Sequence, residues 1–338
     1  MSNLFPKAKQ AAVERALMAA FGTAELEGSQ PLSGGLSGAG VWRIRVGGID
    51  YLLRMTHTRD ALSDPARGFA CMRTAAAACL APAVRYADVA DGVAISDFIQ
   101  PLALSEYPGS GPGLVTELAR TVRRLHETPA FPPLVDYLEG LDGLIDPQFR
   151  SNLLDPAATV ELFTRYSELR AEYRTRQDDL VSSHNDLNPG NIIYDGQRLW
   201  LVDWEAAFLA DRYVDLATVA NWFTSEAAAG EMLLTTYFGR APQAHEVARF
   251  QLMRLVNHIF VGVIFLNVTA AEQPGLRLDD RSLAGPSLEQ LRQRLRAGEF
   301  DMMMWDNRVT YGKARLSAAL ENLQSPACAD ALARIADD

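Results

Sequence analysis

Hydrophobic positions follow two different spacings in the two parts of the chain. Between residues 41 and 55, two apolar runs of strand length flank the pair Gly47-Gly48, and this combination predicts a β-hairpin. Elsewhere, apolar residues recur at intervals of three and four, the spacing of a buried helical face. Helices are predicted on this basis over residues 7–21, 66–80, 114–126, 157–179, 216–225, 229–238, 245–268 and 287–297, with terminal helices over 302–332. We therefore expect an α+β fold with a small N-terminal antiparallel sheet and a larger, mostly helical C-terminal part.

Two segments interrupt these patterns. The segment 94–100 is predicted to be the last strand of the sheet, and Pro101 ends it because proline cannot donate to a strand ladder. A boundary between the two parts is therefore predicted near residue 101. From residue 129 to 146, prolines, glycines and aromatic residues occur together, which predicts an irregular insertion.

Composition and charge restrict the classes of function. The chain has 338 residues, of which 48% are hydrophobic, enough for two lobes with large cores. The formal net charge of 32 − 42 = −10 disfavours a nucleic-acid partner, which would require a basic face. Cys71, Cys79 and Cys328 are odd in number and lack metal-ligand spacing, which favours a reducing cytoplasm.

Membrane signals are weak in the sequence. Residues 1–7 lack the apolar core of a signal peptide, and the longest apolar run, 259–268, is about half a membrane span. We expect a soluble cytoplasmic protein without a membrane partner, either a monomer or a homodimer.

A polar segment between residues 184 and 203 carries the candidate chemistry. His184 and Asp186 are followed by Asn191, five residues after the aspartate, and then by Asp203. In kinase catalytic loops of this spacing, the Asp accepts the proton of the acceptor hydroxyl and the Asn holds Mg²⁺. Each residue alone is more often a turn former or a core residue. Their fixed spacing favours the catalytic interpretation, with Asp186 as the catalytic residue.

The segment between Asn191 and Asp203 indicates how a cation could bind. The runs 192–194 and 199–202 are predicted strands, and Asp195-Gly196 is a hairpin signal between them. A hairpin brings its two ends together. We therefore expect Asn191 and Asp203 side by side, as oxygen ligands of a Mg²⁺ ion that is also bound to phosphates.

A glycine-rich segment lies nearer the N-terminus. It has four glycines in seven positions, and glycine lets backbone N–H groups approach phosphate oxygens closely. The residues expected to cover the phosphates are Gly34, Gly35, Ser37 and Gly38.

The apolar run 51–55, in the second strand of the predicted hairpin, carries a single charge, Arg54. Kinases place a lysine there to pair with the α- and β-phosphates, and a guanidinium offers a permanent charge and a planar fork. The alternative is an edge-strand arginine that reaches solvent. No Glu occurs between residues 55 and 100 to support this cation. Asp60 or Asp64 could replace it, or the nucleotide alone could hold Arg54.

Together these motifs resemble the choline kinase and aminoglycoside phosphotransferase superfamily, the small-molecule branch of the kinase-like fold. The resemblance rests on His184, Asp186 and Asn191 in the pattern H-x-D-x-x-x-x-N, followed by Asp203 and Asp215. It implies that His184 and Asp215 hold the catalytic loop. A protein kinase would have Phe-Gly after the second Asp and a longer segment for docking a peptide. A small acceptor is therefore expected.

The resemblance also implies the organisation of the chain. Residues 1–100 would form a nucleotide-binding lobe, and residues 101–338 a lobe for catalysis and acceptor binding. Asp97 and Ile99 would contact the nucleotide at the hinge between them. The implied cofactors are ATP and Mg²⁺, although the sequence does not distinguish ATP from GTP, and the implied partner is a small molecule with a hydroxyl group.

The sequence thus predicts a small-molecule kinase, with an amino alcohol such as choline or ethanolamine as the first candidate acceptor. Asn185 and the triplet Asp203-Trp204-Glu205 resemble choline and ethanolamine kinases more than aminoglycoside kinases, and an aminoglycoside, sugar or homoserine-like acceptor stays open. A non-catalytic nucleotide-binding regulatory protein is also open, but the intact Asp186, Asn191 and Asp203 disfavour it.

Aromatic residues are frequent on the predicted helices after residue 216. They are expected to be core residues, although a minority could bind a quaternary ammonium group through cation–π attraction. They are Trp222, Phe223, Tyr237, Phe260 and Phe265.

Overall fold

The structure is a computed structural model that describes residues 5–32, 40–56, 64–224 and 227–336. The chain packs as two compact units. The first unit comprises residues 1–134 and 181–215, and the second comprises residues 135–180 and 216–338. The predicted boundary near residue 101 separates lobes by function, and that functional division stays a prediction.

The helices and strands follow one another in an order that keeps most strands in the first unit. Along the chain they are α1 (Gln10–Phe21), β1 (Gly28–Pro31), β2 (Gly40–Val46), β3 (Ile49–Met55), α2 (Pro65–Ala77), β4 (Val84–Asp88), β5 (Val93–Asp97), α3 (Ser110–His126), α4 (Tyr137–Ser151), α5 (Pro156–Glu172), β6 (Leu180–Ser183), β7 (Ile192–Tyr194), β8 (Leu199–Leu201), β9 (Phe208–Asp211), α6 (Arg212–Phe223), α7 (Ala227–Phe238), α8 (Ala244–Glu272), α9 (Leu288–Arg296), α10 (Trp305–Leu323) and α11 (Pro326–Ala336).

A five-stranded antiparallel sheet, in the order β1-β2-β3-β5-β4, lies in the first unit. Gly47 and Gly48 join β2 to β3 with φ angles of 57° and 76°, which glycine adopts readily. Successive residues of β3 point to opposite faces. Leu53 and Met55 are buried in one cluster with residues of α1, whereas Arg54 lies on the other face. The predicted sheet and its hairpin are confirmed.

Two small sheets in the first unit carry the polar motif. β6 pairs with β9, and β7 pairs antiparallel with β8, with Ile192 opposite Leu201. The side chain of Asp195 accepts hydrogen bonds from two backbone N–H groups further along the turn, both at 2.8 Å. Gly196 adopts a φ of 94°. The hairpin predicted from Asp195-Gly196 is therefore present.

The second unit is built from helices around the 29-residue α8, which packs against α4, α10 and α11. Helices α8 and α10 approach closely because each has a glycine at the contact. A Cβ atom on Gly262 would lie 2.7 Å from Leu316, and one on Gly312 would lie 3.0 Å from Leu266. The tight packing of these two helices therefore depends on both glycines.

Helix α8 is also the one described helix that is long and apolar enough to cross a membrane, by length and composition only. Such a helix is weak evidence for a span, because core helices share these properties. In its most apolar window of 18 residues, 61% is buried inside the protein. The run 259–268, predicted to be a buried helical segment, lies within α8.

The prediction of an irregular segment after residue 129 is wrong for its second half, where α4 begins. Asp136 caps this helix by accepting hydrogen bonds from two backbone N–H groups of its first turn. Tyr137 and Leu141 are buried, and the ring of Tyr137 stacks on Phe260 of α8 at 4.5 Å. Packing therefore sustains a helix despite two glycines and Pro147, which weaken its local propensity.

Candidate active site

A buried carboxylate holds the loop that follows β6. Asp215, in the first turn of α6, accepts hydrogen bonds from the backbone N–H groups of His184 and Asn185, each at 2.8 Å. Asn185 has a left-handed backbone with a φ of 63°, which Asn tolerates better than most residues. Its side chain accepts a hydrogen bond from Ser183 at 2.7 Å and donates one to a backbone carbonyl at 2.9 Å. The backbone directly before the predicted catalytic residue is therefore fixed.

Asp215 is completely buried, and several groups stabilise its charge. Burial alone would raise its pKa. The hydrogen bond from His126 Nε2 at 3.1 Å, the electrostatic contributions of His126 and His184, and the loop N–H groups outweigh burial and hold the pKa of Asp215 below its ordinary value. His126 is not among the site residues predicted from the sequence. Its contact joins positions 89 residues apart, and no local sequence signal indicates it.

Asp186 is half-buried, and each of its carboxylate oxygens accepts a hydrogen bond from a neighbouring amide. The donor to Oδ1 is Asn188 Nδ2 at 3.0 Å, and the donor to Oδ2 is Asn191 Nδ2 at 2.9 Å. Burial raises the pKa of Asp186, and the charge of Asp203 adds to this effect, while the two amides and His184 oppose it. A carboxylate with a fixed orientation and a raised pKa has the properties of a general base.

Asn191 and Asp203 flank the two ends of the β7–β8 hairpin. The backbone N–H of Val202 donates to the carbonyl of Asn191 at 3.0 Å, which keeps the two ends together. The Asn191 amide nitrogen donates to both the backbone carbonyl and the carboxylate of Asp186, at 2.8 and 2.9 Å. Since both partners are acceptors, the nitrogen must face them, and the amide oxygen remains for another ligand.

The amide oxygen of Asn191 and a carboxylate oxygen of Asp203 are suitable ligands for Mg²⁺, which usually binds one or two protein oxygens together with water and substrate phosphates. Within the described ranges, no group of three or more His, Cys, Asp or Glu side chains could hold a metal. A cation at Asn191 and Asp203 would therefore need phosphate oxygens as further ligands.

His184 connects the loop to the end of the hairpin. Its Nε2 donates to the backbone carbonyl of Val202 at 2.9 Å, and its ring packs on Trp204 with centroids 4.7 Å apart. Its Nδ1 is buried without a hydrogen-bond partner among the described residues. This arrangement agrees with the predicted role of His184 in holding the catalytic loop, which stays a prediction.

Arg54 lies on a central strand, because β3 pairs with β2 on one side and β5 on the other. The alternative of an edge-strand arginine is therefore wrong. Its Nη2 lies 3.0 Å from Asp203 Oδ1 and also pairs with the carboxylate of Glu205. Arg54 Nη2 and Asp203 Oδ1 do not meet hydrogen-bond geometry, so their contact is ionic. The side chain of Arg54 is only 15% exposed.

Glu205 thus takes the place that the sequence left open for an acid beside Arg54. Asp64 caps α2 instead, by accepting a hydrogen bond from the backbone N–H of Ala66 at 2.9 Å. Asp60 lies outside the described residues. The sequence did not indicate Glu205 as a partner, because it follows Arg54 by 151 positions and lies on the segment after Asp203, not on α2.

Helix α2 contributes a cation to this arrangement. Arg67 is buried, and it donates to the backbone carbonyls of Glu205 at 2.7 Å and Ala207 at 3.1 Å. In protein kinases a Glu on the corresponding helix supports the strand cation. Here the helix supplies an arginine that fixes the backbone of Glu205, and Glu205 supplies the acid.

The remaining predicted nucleotide contacts stay predictions. Gly34, Gly35, Ser37 and Gly38 lie outside the described residues. The carboxylate of Asp97 is engaged by Arg85 in a two-pronged ion pair, with distances of 2.6 and 2.9 Å. Ile99 is half-buried and follows the end of β5.

Comparison with known proteins identifies a family whose model matches this chain. The model of the phosphotransferase enzyme family, APH, matches residues 29–250. Protein LicA of Haemophilus influenzae is 29% identical over 145 residues, which cover 40% of this chain and 42% of LicA. The chain therefore matches less than half the length of this curated relative.

Solved structures resemble nearly the whole chain. A choline/ethanolamine kinase family protein from Mesorhizobium loti has a TM-score of 0.71 at 20% identity, covering 98% of this chain and 100% of that chain. Choline kinase LicA from Streptococcus pneumoniae has a TM-score of 0.63 at 15% identity, covering 93% and 98%. At these identities the likeness establishes the kinase-like fold.

The family model covers well over half of the chain, so the protein belongs to the phosphotransferase enzyme family. Its class is that of the phosphotransferases, and the predicted two-lobed kinase-like fold is confirmed. The resemblance to the choline kinase and aminoglycoside phosphotransferase superfamily is confirmed as well.

Proposed function

We propose that the protein transfers the γ-phosphate of ATP to a hydroxyl group of a small molecule, with an amino alcohol such as choline or ethanolamine as the acceptor. The grouping of Asp186, Asn191 and Asp203 around one hairpin, with Arg54 beside them, carries this proposal. A non-catalytic nucleotide-binding protein would have no use for an oriented carboxylate next to two cation ligands.

Asp186 orients the acceptor hydroxyl and receives its proton on a carboxylate oxygen. Asn188 and Asn191 each donate to one oxygen, and a carboxylate can accept about four hydrogen bonds, so lone pairs remain for the hydroxyl. The raised pKa increases the proton affinity of Asp186. Phosphoryl transfer depends mainly on positioning and charge stabilisation, and the two amides supply the positioning.

Asn191 and Asp203 would hold Mg²⁺ through the amide oxygen and the carboxylate. Bound Mg²⁺ supplies positive charge that neutralises the phosphate oxygens. Arg54 would add a permanent charge for the α- and β-phosphates. Glu205 would give the Arg54 guanidinium a second carboxylate partner, so that it does not pair with Asp203 alone.

The choice of an amino alcohol is supported by relatives and by local sequence. The curated relative is a LicA protein, and the solved LicA structure is described as a choline kinase. Asn185 and the pair Trp204-Glu205 resemble the choline and ethanolamine kinases. We also propose ATP as the phosphoryl donor, a cytoplasmic location, and a monomer or homodimer as the functional state.

A screen of the purified chain would test this function. ATP consumption would be measured with choline, ethanolamine, aminosugars, aminoglycosides and sugars, and the phosphorylated product would be identified by mass. We expect turnover with an amino alcohol. The Asp186→Asn variant serves as the control and should lose about 10²–10⁴-fold of that turnover.

Two other results would revise the proposal at different points. Turnover with an aminosugar or sugar would leave phosphoryl transfer in place and replace the acceptor. ATP binding without turnover on any acceptor would contradict catalysis and favour a regulatory nucleotide-binding protein.

A further inference from the structure

Three arginines from three helices of the second unit converge around one polar residue and one aromatic pair. They are Arg254 on α8, Arg292 on α9 and Arg315 on α10, and we call them the arginine cluster. Arg315 is 1% exposed, whereas Arg254 and Arg292 are half-buried and remain accessible. None of these residues has a role in the proposed phosphoryl transfer.

Arg315 is held by neutral groups. Its Nη1 donates to His258 Nδ1 at 2.9 Å, and its Nε and Nη2 donate to the hydroxyl of Tyr311 at 3.0 and 2.6 Å. Its guanidinium also lies 5.0 Å from the ring of Trp222, which stacks on Tyr311 at 5.8 Å. These contacts fix the guanidinium without neutralising it.

Asn221 links the other two arginines. Arg254 Nε donates to Asn221 Oδ1 at 2.9 Å, and Arg292 donates to the backbone carbonyl of the same residue. Asn221 is itself fixed, because its amide nitrogen donates to Asn257 at 2.9 Å, and Asn257 in turn donates to Thr218 at 3.0 Å. A buried polar network therefore sets the positions of two guanidinium groups in advance.

The cluster has little negative charge near it. Among the described residues, the one carboxylate within ion-pair distance is Glu289, 3.7 Å from Arg292 Nη1, and its side chain is 49% exposed. An exposed pair of this kind contributes little. Glu226 lies outside the described residues. Buried charges are normally paired, so three guanidinium groups whose described partners are mostly neutral are unusual.

The three charges also act on one another. Burial and then the charge of Arg292 lower the pKa of Arg254, and burial and then the charge of Arg315 lower the pKa of Arg292. Arginine stays protonated in proteins under such conditions, so the repulsion persists. An anion between these groups would relieve it.

We propose that the arginine cluster is a binding site for the oxyanion group, carboxylate or phosphate, of a small molecule. The hydrogen bonds to Asn221 use one N–H of Arg254 and one of Arg292, out of five on each guanidinium. The remaining donors suit the planar, two-pronged recognition of a carboxylate or phosphate. Trp222 adds a half-buried aromatic face beside them. This site goes beyond the proposed phosphoryl transfer and does not depend on it.

The test uses a local signal from Trp222 in the full chain. The protein is labelled with 5-fluorotryptophan, and Trp222→Phe assigns the relevant ¹⁹F resonance among those of the five tryptophans. Inorganic phosphate and acetate are titrated separately, at ionic strength held constant with NaCl. We expect a saturable shift of the Trp222 resonance with at least one of the two anions.

Charge variants connect that shift to the cluster. In Arg254→Gln and in Arg292→Gln the dissociation constant should rise tenfold or more, because each loses a charge-assisted contact. Arg334→Gln removes one positive charge from an exposed position of α11 and should behave as the wild type. If a glutamine variant does not fold, Arg254→Lys keeps the charge and should still weaken binding through loss of the planar fork.

Two further probes distinguish an anionic group of the acceptor from a separate phosphate-bearing molecule as the natural ligand. Glycerate and serine join a carboxylate to a hydroxyl; if they shift Trp222 and phosphate competes with them, the site accepts an anionic group of an acceptor. If phosphate shifts Trp222 and neither probe does, the ligand is a separate phosphate-bearing molecule. A Trp222 resonance that responds to none of these anions would overturn the proposal, as would equal affinities in Arg254→Gln, Arg292→Gln and the wild type. Neither result would affect phosphoryl transfer.

Discussion

The ion pair between Arg54 and Glu205 permits a sharp prediction about how the site binds ATP. Arg54 contacts both Asp203 and Glu205, and Asp203 is also the proposed ligand of Mg²⁺. In Glu205→Gln, the guanidinium would lose one charged partner and rest on Asp203. It would then compete with Mg²⁺ for that carboxylate, and ATP affinity should fall.

The size of the effect follows from the kind of contact that is lost. An exposed ion pair contributes about 0–1 kcal/mol, and breaking a buried one costs about 3–5 kcal/mol. The pair of Arg54 and Glu205 is partly buried, with side chains 15% and 26% exposed, and Arg54 keeps Asp203 as a second partner, so an effect near the lower end is expected. About 1.4 kcal/mol corresponds to a tenfold change, and we expect about a tenfold weaker binding of ATP in the presence of Mg²⁺. Adenosine affinity should not change, because adenosine lacks the phosphates.

Calorimetry with ATP and with adenosine measures both quantities, and two variants serve as controls. Glu14→Gln makes the same chemical change on an exposed position of α1 and should have no effect. Arg54→Ala should weaken ATP tenfold or more, and adding Glu205→Gln to it should weaken ATP no further, since Glu205 acts through Arg54. Additive losses, or unchanged ATP affinity in Glu205→Gln, would refute this reasoning.

Three other predictions concern single residues. Asp186→Asn should keep nucleotide affinity and lower turnover by about 10²–10⁴-fold in steady-state kinetics, and near-normal turnover would contradict its role as a base. Asp203→Ala should abolish the tightening of ATP binding by Mg²⁺ in calorimetry, whereas equal enhancement in both proteins would exclude Asp203 as a ligand. Burial, and then the charges of the arginine cluster, hold the pKa of His258 well below its ordinary value. The unfolded chain therefore binds the extra proton first, and the free energy of unfolding should fall by about 1.4 kcal/mol per pH unit below pH 6.5. Urea unfolding between pH 5 and 7.5 should show a shallower slope in His258→Gln, and equal slopes would contradict this assignment.

The features that could be predicted from sequence depend on neighbouring residues. The β7–β8 hairpin is specified by two short apolar runs and Asp195-Gly196, so the proximity of Asn191 and Asp203 follows from local turn chemistry. The contact of Asn191 with Asp186 spans five residues and is equally local. For these reasons the centre of the candidate site could be inferred from the amino-acid sequence alone.

The features that could not be predicted join distant positions. The acidic partner of Arg54 was expected on the next helix, but it lies on the segment after Asp203. Arg67 of α2 holds that segment through a hydrogen bond to the backbone carbonyl of Glu205. Helix α4 could not be predicted because the local sequence signal is misleading. Its local propensity is poor, and packing against α8 decides its conformation.

The net charge of the chain does not indicate the charge of its ligand. A formal charge of −10 is compatible with a cationic acceptor, yet the second unit contains three arginines whose described partners are mostly neutral. Trp222 was one of the aromatic residues that could have bound a quaternary ammonium group. It already has the guanidinium of Arg315 at 5.0 Å from its ring, and a second cation there would be repelled by Arg315. If an amino alcohol is the acceptor, its ammonium group must therefore bind away from Trp222, and any ligand that does contact Trp222 should carry negative charge.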